Sequence, residues 1–215
     1  MINLGFTSKI SFTGNDTQPK VLYSTKYLEL RSASAPDGKF NWAYAHRPNV
    51  NNVAVIAPII HNEDGDSIVF VETKRPPLVA EGKAPSCIEL PAGLVGDENK
   101  NETVEEGINK ELLEETGYKA DKITIKTTKL ASSPGCVSET STVAIADINN
   151  DEIIEPPVSD GGVITAIHKI PLNNADNWLR EQQEEGKAVS AQALSGMYFV
   201  LSRIMQSGEG NVKTQ

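Results

Sequence analysis

Residues 110–118 read KELLEETGY, and three glutamates, Glu111, Glu114 and Glu115, fall within five positions. At about 100° per residue, Glu115 lies about 40° to one side of Glu111 and Glu114 about 60° to the other. Val104, Ile108 and Leu112 lie along the same side, about 20°, 60° and 100° from Glu111, so the carboxylates border the apolar stripe. A solvated charge run would sit opposite that stripe. Carboxylates turned toward an interior must be paired, protonated or metal-bound. Geometry alone leaves two readings open. One is a surface helix with Lys110 pairing Glu106 or Glu114 at i±4. The other is a cluster of hard oxygen ligands suited to Mg²⁺ or Mn²⁺ acting together with substrate phosphates.

The elements around these glutamates follow from local signals. Thr103 and Glu106 form a T-x-x-E capping box and Gly117 stands at the C′ position, which predicts a helix over about 104–116. NVAVIAPII (52–60) is a near-continuous apolar run, predicting a buried strand. SIVFVETK (67–74) pairs with it through the turn NEDGD, RPPLVAEGKAP (75–85) reads as a loop, and SCIELPAGL (86–94) as a short strand ending at a Pro/Gly break. ITIKTTKLA (123–131), TSTVAIADI (140–148) and GVITAIHKI (162–170) read as further strands, and Ser190 to about Ile204 as a closing amphipathic helix. Upstream, VLYSTKYLELRS (21–32), the turn APDGK (35–39) and FNWAYAHR (40–47) suggest a hairpin or small sheet. The order is α+β, without regular βαβ alternation.

The totals bound the function. The chain has 215 residues and a net charge of −9, which argues against a phosphate-tracking nucleic-acid surface. Two distant cysteines, Cys87 and Cys136, give no zinc spacing and point to a reduced compartment. No apolar run reaches membrane-spanning length and no signal peptide is legible. The expectation is a cytoplasmic protein with no nucleic-acid or membrane partner.

GLVGDENKNETVEEGINKELLEETGY (93–118) resembles the Nudix box, whose pattern is Gly, five residues, Glu, seven residues, then R-E-U-x-E-E-x-G-U with U apolar. Glu102 and the run Glu111 to Tyr118 match it. Lys110 replaces the arginine, which keeps the charge and loses the bidentate fork. Counted literally the box glycine is Gly96. In the branch whose P-A-G turn this chain shares it is Gly93, with a loop three residues longer.

The resemblance implies a Nudix-type α/β/α sandwich around a mixed sheet. It implies that Glu111 and Glu115, assisted by Glu114 and the Ala92 carbonyl, bind Mg²⁺, with Mn²⁺ as the other candidate. KRPP (74–77) and CIELPAGL (87–94) resemble the branch that hydrolyses ADP-ribose and related nucleoside diphosphate sugars. That likeness implies Arg75 on the diphosphate, Gly93 lining the site, Tyr27 and Trp42 stacking on the adenine, and Arg47 as a further ligand group. It also implies an antiparallel N-terminal sheet used in a homodimer. The expected organisation is an N-terminal dimerisation region at 1–50, a catalytic domain at 51–207 and a flexible tail at 208–215.

The branch takes its general base from a glutamate in a late loop. Here Gly162 aligns with it. Asp160 and Glu139 are the candidates to replace it, with Glu152 and Glu155 in the same acidic loop. His46, His61 and His168 read as structural.

Overall fold

The computed structural model describes residues 19–34, 41–50, 52–96, 99–158 and 163–209. The turn predicted at 35–39, Asp160 and Gly162 therefore lie outside the described residues. The chain divides into two units: one comprises residues 1–49 and Ser133–Glu139, the other 50–132 and 140–215.

The first unit carries a three-stranded antiparallel sheet of β1 (Lys20–Ser24), β2 (Glu29–Ser34) and β3 (Asn41–His46), in that order. The single strand expected over 21–32 is instead two strands. Thr25 breaks it: its Oγ1 accepts the amides of Tyr27 (3.2 Å) and Leu28 (2.9 Å), and its own amide donates to the Leu28 carbonyl. A threonine hydroxyl offers the backbone a local alternative to the ladder, and here the turn wins. Tyr27 thus lies in the turn rather than on a strand. The segment Ser133–Glu139 lies along β3, with Ala45 donating to Cys136 O and Ser138 donating to Ala45 O. Val21, Leu22, Tyr23, Tyr27, Leu28, Leu30 and Trp42 are all exposed.

The second unit is built on β4 (Asn52–Ile60), which pairs parallel with β9 (Thr140–Ile148) along its length. Successive residues of β4 face opposite sides, as the pleat requires. Val55, Ala57 and Ile59 join one buried cluster with Ala175, Leu179, Ala193, Met197 and Val200. Ala54, Ile56 and Ile60 join another with Ile108, Leu112 and Tyr118. Helix α2 (Val104–Thr116) therefore covers one face, while α3 (Ala175–Glu184) and α4 (Ala191–Glu209) cover the other. Burial on both faces is why β4 reads as continuous apolar sequence. The fold is α+β with α/β/α layering. No helix among the described residues is long and apolar enough to cross a membrane.

The eight-stranded sheet has the path β11-β6-β5-β4-β9-β8, where β8 is Lys122–Ala131 and β11 is Ala188–Val189. β10 (Ile164–Pro171) lies along β5 (Ser67–Thr73), and β7 (Ala92–Val95) along β4. β4 and β5 meet only at Ile59↔Ile68 and Ile60↔Ser67. Beyond that point β6 (Cys87–Glu89) pairs with β5 while β7 pairs with β4. The predicted strand 86–94 is thus two strands, broken at Leu90–Pro91, because its halves pair with different partners. The expected loop at 75–85 contains a short helix, α1 (Pro76–Ala80). The polar stretch after residue 170, unassigned from sequence, holds α3 and β11.

Candidate functional site

The crossover from β6 to β7 and helix α2 together position the glutamates. At the start of α2, Thr103 Oγ1 accepts the Glu106 amide (3.2 Å) and Glu106 Oε2 accepts the Thr103 amide (2.8 Å). The helix ends at Gly117, φ +77°, whose amide donates to Leu113 O. These local caps fix both ends of α2, and fully buried Ile108 and Leu112 fix its rotation. Glu111 and Glu115 are in consequence half-buried beside the core stripe, while Glu114 is exposed.

Glu115 reaches the crossover directly: the Ala92 amide donates to its Oε2 at 3.0 Å. The contact recorded for Ala92 is thus through its amide. Glu111 lies against Gly93, and a Cβ there would coincide with the Glu111 carboxylate. Any side chain at 93 would evict that carboxylate. Gly96 serves the other glycine role of the motif: with φ +85° it donates its amide to Glu102 Oε2 at 2.9 Å. Of the two glycines that the pattern leaves as alternatives, Gly93 leaves room for Glu111 and Gly96 holds Glu102.

Burial pushes the Glu115 carboxyl up to about 8, and the charges of Glu111 and Glu89 add to the rise, against the opposing pull of the Ala92 amide and Arg75. A half-buried carboxylate with two further carboxylates nearby fits a cation. Among the described residues no group of three or more His, Cys, Asp or Glu side chains is gathered as a metal centre. The fit to a divalent ion rests on Glu111, Glu115 and the space that Gly93 leaves, an all-oxygen donor set.

Arg75, just after β5, donates from Nε to Glu89 Oε2 at 2.6 Å, and Thr73 Oγ1 donates to the same oxygen at 2.5 Å. Sequence reasoning passed over Glu89. The available signal was one acid in an otherwise apolar strand, CIEL. Cys87 is inert as a nucleophile, since burial and the nearby Glu89 push its thiol up to about 12.

The acidic loop after β9 docks on the end of α2. Ile154 donates to Gly117 O (2.9 Å), Val158 to Glu114 O (2.7 Å), and Tyr118 Oη to Asp151 Oδ1 (3.1 Å). Lys169 secures Asp151 from β10 at 2.6 Å. Next to Glu115 lies a cavity of about 210 Å³ lined by Pro157, Val158 and residues Ile164–Ile167. Asp160 falls in sequence between those two lining segments. Glu152 accepts from the Asn150 side chain. A larger depression of about 900 Å³, between the β4–β5 turn and α4, contains none of the candidate residues.

The remaining candidates belong to the first unit. Trp42 Nε1 donates to Gly135 O at 2.6 Å, and Arg47 Nε donates to Glu139 Oε2 at 3.0 Å. Glu139, one candidate base, is thus held in an ion pair. Of the histidines, His46 meets Ser138, His61 lies between Asp66 and Asp147, and His168 meets Glu72.

A model of the NUDIX domain matches residues 50–192. A Caenorhabditis elegans nudix hydrolase is 29% identical over 141 residues, 61% of this chain, and the chain spans only 59% of that relative's length. The GDP-mannose pyrophosphatase of Yersinia pestis (strain Pestoides F) is 26% identical over 148 residues, 68% of this chain and 72% of the relative. Among solved structures, an ADP compounds hydrolase superposes with a TM-score of 0.55 at 19% identity, covering 91% of this chain and 97% of that one, and shares its fold.

Proposed function

The chain belongs to the NUDIX domain family, and from that premise we propose that it hydrolyses the diphosphate of ADP-ribose or a related nucleoside diphosphate sugar with Mg²⁺. The observation that carries this reading is the apposition of Glu111 and Glu115 to the Ala92–Gly93 crossover. Glu111 and Glu115 would hold the metal, with Glu114 and the Ala92 carbonyl as further donors. When bound, the ion neutralises the diphosphate and makes phosphorus accessible to water.

The residues of the chain supply the rest. Arg75 grips the diphosphate through its planar fork. Tyr27 and Trp42 take the adenine by stacking, and Arg47 adds a ligand contact. The general base accepts a proton from water as its oxygen bonds to phosphorus and the bridging P–O bond breaks, giving AMP and ribose 5-phosphate from ADP-ribose. Asp160 and Glu139 are the two candidates, and Glu139 is paired with Arg47. The exposed apolar side chains of the N-terminal sheet support its burial in a homodimer.

Similarity to a GDP-mannose pyrophosphatase favours a second reading on substrate, a different nucleoside diphosphate sugar handled by the same chemistry. Release of phosphate esters from ADP-ribose, ADP-glucose, UDP-glucose, GDP-mannose and NADH, with Mg²⁺ and with chelator, decides between them. Mg²⁺-dependent cleavage that falls at least about 100-fold in Glu115→Gln is expected. No turnover of any compound, with ADP-ribose still raising the melting temperature, would mean that the site binds without catalysing.

A further inference from the structure

Thr73, Arg75 and Glu89 form a short chain at the mouth of the β5–β6 pair. In that pair Val71 opposes Glu89 and Thr73 opposes Cys87, so Thr73 and Glu89 are diagonal neighbours on one face. One oxygen, Glu89 Oε2, accepts both the buried Thr73 hydroxyl and the Arg75 Nε–H. The Glu89 side chain is 15% exposed and that of Arg75 47%.

Stability is a poor reason for this arrangement. An ion pair with one exposed partner contributes about 0–1 kcal/mol. What the chain of bonds does achieve is orientation. A guanidinium held through Nε–H has its plane fixed, and the distal Nη1/Nη2 edge remains for a second planar partner. Thr73 in turn fixes the Glu89 carboxylate from the buried side.

We propose that Glu89 is a positioning residue: backed by Thr73, it holds the Arg75 guanidinium so that the distal edge meets the substrate diphosphate. This rests on the reading of Arg75 given above.

The test is a double-mutant cycle read in both KM and the Kd of ADP-ribose, the latter by calorimetry in chelator, where no turnover is needed. Arg75→Ala should weaken both about 100-fold and Glu89→Ala about 10-fold, with kcat changed far less. The double variant should be no weaker than Arg75→Ala alone, because Glu89 acts through Arg75. Glu89→Gln keeps an acceptor and should stay within about 3-fold of the parent. Thr73→Val should weaken binding about 3-fold, and only while Arg75 is present. Melting temperatures identify any variant that fails to fold, and Thr73→Val then carries the test.

An additive cycle, about 1,000-fold in the double variant, would overturn the proposal. So would a lower KM in Glu89→Ala, which would mean that Glu89 competes with substrate for Arg75. Binding without turnover in the parent would refute the catalytic reading and leave the cycle in Kd decisive. Absence of ADP-ribose binding in the parent would overturn both.

Discussion

Raising the pH in the presence of a chelator should destabilise this protein through one side chain, Glu115. Its carboxyl stands at about 8 in the folded chain against an ordinary 4.5. Below about 4.5 both states hold the proton and the contribution to stability is complete. Between 4.5 and 8 the unfolded chain releases the proton while the folded chain keeps it, so each step in pH favours unfolding. Above 8 the loss is complete. The interval corresponds to at most about 5 kcal/mol at about 1.4 kcal/mol per pH unit. Side-chain relaxation and water entry reduce this to about 2 kcal/mol, since proteins respond with an effective dielectric nearer 20 than 4. For a chain of this size that is about 4–8 °C in Tm between pH 5 and pH 8. Glu115→Gln keeps the shape and cannot ionise, so its Tm should lack this component. Every other group is common to the two proteins and cancels in the difference. Millimolar Mg²⁺ at pH 8 should raise the Tm of the parent and leave that of Glu115→Gln nearly unmoved. Parallel Tm curves for the two proteins across pH 5–8 in chelator would refute the burial argument for Glu115.

Three further predictions test the frame around that carboxylate. Gly93→Ala forces the Glu111 carboxylate out of its place and should reduce Mg²⁺-dependent kcat/KM at least about 100-fold, about 2.7 kcal/mol, with Tm in chelator within a few degrees of the parent. Gly117→Ala places a Cβ on the Glu155 carbonyl oxygen at φ +77°; it should cost about 2 kcal/mol or more and lower Tm by at least about 5 °C in thermal denaturation. Thr103→Ala removes the hydroxyl half of the capping box, the bonds of Oγ1 with the Glu106 amide and carboxylate, and keeps the backbone half; it should cost about 1 kcal/mol while leaving kcat within about two-fold, and a large loss of turnover would show that the start of α2 does more than hold the helix.

What the sequence revealed was local. Helix α2 begins and ends where Thr103, Glu106 and Gly117 place it, because its caps are made within the segment itself. β4 was legible because burial on both faces leaves no polar position along it after Asn52. α3 was not legible: ADNWLREQQE buries only Ala175, Leu179 and Gln182, and its place is set by distant partners, such as Trp178 stacked on Phe70 at 5.4 Å. The break between β6 and β7 is likewise a matter of partners, since one half extends β5 and the other β4.

The same division runs through the site. Helical spacing drew attention to the glutamates of α2, and the resemblance, with its P-A-G turn, singled out Glu111, Glu115 and Gly93. Glu89 could not, because Thr73 and Arg75, 16 and 14 residues away, give it meaning only once β5 and β6 are paired. The crowding of the glutamates then has a physical resolution. Glu114 stays in solvent, where its charge costs little. Glu111 has space only because residue 93 has no side chain. Glu115 lies in a setting that disfavours its own anion, so it contributes least to stability in the ionised form that a cation would need. A helix selected for stability alone would place leucine or glutamine there, and a glutamate at 115 agrees with the metal-holding role proposed for this face.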